Sequence, residues 1–192
     1  NYYEEDFSKH APKEVVPRIM MVWNSIPSQL AKENRKFIYG CMREGARAKD
    51  FELAIQWLED AGLIIRSYRI TKPDIPLIAY MEMNSFKMFT LDVGLLGAKA
   101  NIHAKVLLDG CRIFEEFKGA LTEQFVAQQL KASDRELYYY STENSSGEID
   151  FVIQQEMLCV PIEVKAEENL RARSLRAFCD KYKPEIAIRS SM

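Results

Sequence analysis

The chain has 192 residues, 47 % of them hydrophobic and 28 % charged, with a formal net charge of −2. That apolar content suffices for a packed core and excludes a disordered chain. The near-neutral balance excludes global attraction to nucleic acid or to a membrane surface, so any nucleic-acid contact has to come from a local patch.

Residues 1–16 are polar and aromatic without a clear period and read as a linker from a preceding domain. From Pro17 onward, Ile19, Val22, Trp23 and Ile26 recur at three- and four-residue spacing, which predicts a helix. Pro27 is expected to open another short helix that ends around Glu33–Asn34. Phe37, Ile38, Cys41 and Met42 predict a further helical or extended piece. In RAKDFELAIQWLEDAGLI, the apolar series Phe51, Ala54, Ile55, Leu58 predicts a helix stopped by Gly62. LIIRSYRIT then alternates like a strand, KPDIP turns, and FKMFTLDVGLL returns as a second strand. Three helices followed by a β-hairpin is the winged-helix order, expected over residues 17–108 with Gly97–Leu108 as connector.

Beyond that connector, FEEFKGALTEQFVAQQL reads as a helix, ELYYYST as a strand and NSSGE as a turn. Two charge-bearing strands follow, then a helix with Leu170, Leu175, Phe178 and Tyr182, and a final strand in EIAIRSS. The order α-β-β-β-α-β predicts a small α/β domain over residues 109–192, giving an overall α/β (α+β) class. Trp23 and Trp57 lie on apolar helical stripes and are expected in the core. In the Tyr138–Tyr140 run, one face should be buried and the other exposed.

The four cysteines (Cys41, Cys111, Cys159, Cys179) are far apart, and neither His10 nor His103 has a metal-ligand neighbour. This argues against a zinc site and a disulfide framework and for reduced thiols in a cytoplasmic protein. No apolar run approaches the ~18 residues needed to span a bilayer. The opening NYYEEDFSKH is no signal peptide and lacks an initiator Met, so the chain is expected to be a piece of a longer protein.

The two charged strands carry the functional signal. Alternation places Glu163 and Lys165 on one face, and Glu148 and Asp150 on one face with Ile149, Phe151 and Ile153 opposite. If the strands pair through the Gln154–Met157 turn, Asp150 comes near Glu163. Two close carboxylates repel, and a divalent cation relieves this; Mg²⁺ takes one or two carboxylates together with waters and phosphates. Lys165 could orient or deprotonate a water beside it. On the preceding helix, Glu123 shares a stripe with Gly119, Val126 and Leu130, away from a solvated face holding Lys118, Thr122 and Gln129. The competing reading makes Glu163–Lys165 a surface ion pair on an edge strand, worth ~0–1 kcal/mol.

The pattern Asp150…Glu163-Val164-Lys165, with Glu123 on the helix before it, resembles the PD-(D/E)xK nuclease superfamily. The stretches WNSIPSQLAKENRKF, GARAKDFELAIQWLEDAGLI, FKMFTLDVGLL, GALTEQFVAQQL, GEIDFVI and PIEVKAEENLRARSLRAF are similar to the C-terminal region of a bacterial and archaeal family of AAA+-type ATPases. The resemblance implies an N-terminal P-loop ATPase domain in the same chain, followed by a winged helix and a nuclease-like domain. It also implies Glu123, Asp150 and Glu163 as Mg²⁺ ligands and Lys165 as the base. Asp150 follows Ile149 rather than the proline of the superfamily label. No G-x-x-x-x-G-K-[ST] occurs, so ATP is not expected to bind this region.

DNA is the partner implied, and oligomeric state stays open. The expected recognition helix, Lys49–Ala61, carries Asp50, Glu52, Glu59 and Asp60, which would repel DNA, whereas the run Arg35, Lys36, Arg43, Arg47, Lys49 is basic. Arg171, Arg173 and Arg176 form a second phosphate-binding candidate, with an ordinary solvated helix start as the alternative. Two functions are therefore expected: a Mg²⁺-dependent DNA nuclease, or a non-catalytic regulatory or recognition module on the same fold.

Overall fold

The computed structural model describes residues 2–31, 36–102, 115–142, 147–165 and 173–191. Among these, six α-helices accompany one open, mixed six-stranded sheet, the α/β class expected. In chain order the elements are α1 (Tyr2–His10), α2 (Val16–Ala31), α3 (Ala48–Asp60), β1 (Ile64–Ile70), β2 (Met81–Thr90), α4 (Val93–Lys99), α5 (Glu115–Ala132), β3 (Tyr138–Ser141), β4 (Glu148–Gln155), β5 (Leu158–Lys165), α6 (Arg173–Tyr182) and β6 (Ile188–Ser191). No helix among the described residues is long and apolar enough to cross a membrane.

Residues 2–10 are not a linker but a helix. Phe7 is fully buried and meets Trp23 and Trp57 edge-on, at 5.5 and 5.6 Å between ring centroids. Burying one such ring stabilises by about 1.5–3 kcal/mol, which anchors a segment that is otherwise polar. Nor does Pro27 start a new helix: α2 runs through it. The missing proline N–H costs one helical bond, but a continuous buried stripe from Ile19 through Ile26 to Gln29 holds the helix together. Gln29 then fixes the following loop, accepting from the Ile38 N–H at 2.7 Å and donating to the Ile38 carbonyl at 3.2 Å. The expected helix end at Glu33–Asn34 lies outside the described residues.

Helix α3 follows its periodicity. Asp50 accepts from the Arg47 N–H at its start, and Gly62 (φ +69°) ends it, with the Leu63 N–H returning to the Leu58 carbonyl. The left-handed backbone there suits glycine and closes a Schellman-type cap. The hairpin β1–β2 comes next, antiparallel.

The sheet order is β2-β1-β3-β4-β5-β6. β1 pairs in parallel with β3, and β3–β4–β5 are antiparallel neighbours. β6 joins β5 in parallel. The second half thus has the anticipated α-β-β-β-α-β order, but its strands continue the hairpin's sheet, so a division at 108/109 does not divide the sheet. Helices α1–α3 pack one core against the hairpin. Helix α5 covers a second, with Phe89, Phe151, Ile153, Val160, Ile162 and Val164, and α6 covers a third, with Tyr138, Tyr140, Ile149 and Val152. Both faces of β3 are therefore covered, and all three of Tyr138, Tyr139 and Tyr140 are buried, not one face only. Trp23 is fully buried, as the helical stripe predicts.

Candidate functional site

Strand β4 is not a regular ribbon. Tyr138 pairs with Val152 and Tyr140 with Ile149, so two steps on β3 face three on β4. The extra residue makes a bulge, which re-aims side chains locally. Its effect is visible in the packing: Ile149 and Val152 enter the α6-side core, whereas Phe151 and Ile153 enter the α5-side core. The simple alternation expected for Ile149, Phe151 and Ile153 is thereby corrected, and Asp150 lies at the break. Its Oδ2 accepts the Val164 N–H of β5 at 2.7 Å, a side chain standing where a ladder carbonyl would be.

Helix α5 brings Glu123 to the same region, half-buried. The expected stripe needs one change: Thr122, assigned to the solvated face, is 2 % exposed, with its hydroxyl donating to the Lys118 carbonyl. Fully buried beside it is Gln124, whose amide replaces a strand neighbour for Thr90. Gln124 Oε1 accepts from the Thr90 N–H at 2.9 Å and from its hydroxyl, and Nε2 donates to the Thr90 carbonyl at 2.7 Å. Gln128 Oε1 likewise accepts from the Val93 N–H at 2.9 Å. These bonds pin α5 to the end of β2.

That docking delivers a residue the sequence reading did not include. Lys87 of β2, 6 % exposed, points onto the α5 side of the sheet. Its Nζ lies 2.5 Å from Glu148 Oε1 and 3.5 Å from Glu123 Oε2, over the Tyr139 ring at 5.5 Å. Directly across the hairpin is Ser67, small and fully buried. Burial works against the ammonium, yet Glu123, Glu148 and Asp150 outweigh it and hold the Lys87 pKa above the ordinary lysine value. For Asp150, burial and then the Glu123 carboxylate push the pKa up to about 7, against the lowering influence of Lys87, the Val164 N–H and Lys165. A sequence signal for Lys87 existed: a lone charge among the apolar residues Phe86, Met88 and Phe89.

Glu163 and Lys165 form a separate pair, Nζ to Oε1 3.6 Å, with Glu163 buried and its Oε2 lacking a hydrogen-bond partner. Because Val160, Ile162 and Val164 fill the α5-side core, these two side chains occupy the alternate face of β5. The link between the two groups is Asp150, bonded to the backbone between them.

The resemblance assigns Glu123, Asp150 and Glu163 to one Mg²⁺ site. Among the described residues, no three or more His, Cys, Asp or Glu side chains gather to hold a metal ion. Glu123 is engaged with Lys87, Asp150 with β5, and Glu163 lies across the strand. As arranged, these three carboxylates do not fit one ion: they do not gather around a common point, and an ammonium already pairs with Glu123. Of the phosphate-binding candidates, Arg173 and Arg176 are exposed at the start of α6, and Arg171 lies outside the described residues. In the basic run, Lys36, Arg43, Arg47 and Lys49 are exposed, and Arg35 lies outside the described residues.

No curated protein and no solved structure matches the chain. Two family models do. A domain of unknown function (DUF4143) matches residues 118–191, the segment that holds Glu123, Glu148, Asp150, Glu163 and Lys165. Another domain of unknown function (DUF8612) matches residues 1–106, the segment that supplies Lys87. That second match spans more than half of the sequence, and the chain belongs to the DUF8612 family.

Proposed function

We propose that the chain is the C-terminal region of an AAA+-type ATP-binding protein, serving there as a non-catalytic recognition or regulatory module on a nuclease-like fold. The likeness of its sequence stretches to that ATPase family supports the context, and DUF4143 domains often occur in AAA-ATPase-associated proteins. In this reading ATP binds a P-loop domain elsewhere in the protein, the location is cytoplasmic, and the exposed Arg173 and Arg176 offer a contact to DNA phosphates. The observation that carries the non-catalytic reading is Lys87, buried and paired with Glu123, one of the three carboxylates a nuclease would need for its metal, and with the neighbouring Glu148. The test is a DNA cleavage assay on the full-length protein with ATP and Mg²⁺ or Mn²⁺. No cleavage is expected; cleavage that Lys165→Ala abolishes without unfolding would overturn the proposal.

One observation favours the second reading, a Mg²⁺-dependent DNA nuclease. Glu163 is a buried carboxylate with an oxygen that has no partner, beside Lys165. Buried polar atoms are normally satisfied, and such an oxygen is a place where a ligand would be welcome.

A further inference from the structure

We infer that Lys87 is the resident cation of the Glu123–Glu148–Asp150 cluster, and that its ammonium keeps divalent metal ions out of it. This rests on the non-catalytic reading above and adds what prevents the cluster from working as a metal centre.

The position of Lys87 is built, not incidental. Its Cα is fixed opposite Ser67 by the hairpin register, and its side chain is buried. Its Nζ bridges a carboxylate of β4 and one of α5. Surface lysines swing freely and pair weakly; this one is locked between a tyrosine ring and two acids. A divalent ion would need Glu123 and Glu148 oxygens at ~2.0–2.6 Å, in the volume the ammonium now fills. Two such cations within a few ångströms repel strongly where water cannot screen them. Ammonium and metal are therefore mutually exclusive occupants.

The acids and their counterion also come from different matched segments, Lys87 from residues 1–106 and the carboxylates from residues 118–191. The helical and hairpin segment thus sets the ion preference of the other, and a withdrawal of β2 would bare the acids.

Calorimetric Mn²⁺ titration of the intact chain tests this, comparing wild type with Lys87→Met and with Lys87→Met/Glu148→Gln. The double variant keeps Glu123 and Asp150 but sheds one negative charge, which guards against a single variant too repulsive to fold. Wild type is expected to take up no Mn²⁺ at millimolar concentration. Lys87→Met should bind one ion at least tenfold more tightly than wild type, the double variant more weakly than Lys87→Met, and Mn²⁺ should raise the melting temperature of the variants but not of wild type. A Lys87→Met chain that folds only with Mn²⁺ present would also support the inference. Folded variants as blind to Mn²⁺ as wild type would overturn it and leave the non-catalytic reading standing. Wild type binding Mn²⁺ as tightly as the variants would overturn both, in favour of the nuclease.

Discussion

The amide of Gln124 on α5 makes a hydrogen bond to each backbone polar group of Thr90, the last residue of β2. A side chain here finishes what strand pairing leaves open at the end of β2, and it ties α5 to the β1–β2 hairpin. Gln124→Ala leaves a buried N–H and a buried carbonyl without partners, each costing about 1–3 kcal/mol. Urea denaturation should show a loss of about 2–4 kcal/mol, while Gln129→Ala on the exposed side stays within about 0.5 kcal/mol.

Phe7→Ala should cost about 3–5 kcal/mol, the usual range for emptying a fully buried aromatic site. The measurement is the urea midpoint, with tryptophan fluorescence reporting the change beside Trp23 and Trp57. A mutant as stable as wild type would return residues 2–10 to the status of a linker.

Asp150 sets a pH dependence. Its folded pKa of about 7 stands above the unfolded value of 3.8. Between those values the folded protein holds a proton that the unfolded chain has released, so stability falls as pH rises from about 4 to about 7 and is level above that. The full excursion is on the order of 4 kcal/mol at about 1.36 kcal/mol per pH unit. Asp150→Asn keeps an oxygen for the Val164 N–H but removes the charge. Its melting temperature should exceed that of wild type by several degrees at pH 8, and its decline between pH 4 and 7 should largely vanish.

Arg69 joins three strands: Nε donates to Ser141 Oγ at 3.0 Å, Nη2 to the Ser141 carbonyl at 2.9 Å, and Nη1 to Glu82 at 2.8 Å. Arg69→Met should lower stability by about 1.5–3 kcal/mol, as loss of charged hydrogen bonds does. Arg69→Lys should recover little, since an ammonium cannot reproduce the planar fork. Chemical denaturation of both variants checks this.

Local signals were legible in the sequence. The period of Phe51, Ala54, Ile55 and Leu58, the stop at Gly62, and the strand–turn–strand around Gln154–Met157 all follow from short-range physics. The mixed α/β class and the α-β-β-β-α-β order of the second half follow from the same signals. What escaped depends on distant partners. Helix α1 is held chiefly by Phe7, whose tryptophan neighbours belong to α2 and α3, with Tyr3 also against Trp23. Pro27 reads as a helix start until the buried stripe on both sides of it is known. The β4 bulge leaves no mark in GEIDFVI, so the facing of Ile149 against Phe151 could not be had from alternation. The candidate acids were found because charges in a β-prone run are conspicuous, but their counterion sits in another element, 36 residues before Glu123.

The pairing of β1 with β3 has a practical corollary. Residues matched by separate family models share one hydrogen-bonded ladder, so a cut between 102 and 115 would strip a neighbour from β1 and from β3 at once. Each half expressed alone would present a raw edge of unpaired amides and carbonyls, the template on which strands of other molecules add. Neither half should remain monomeric without the other.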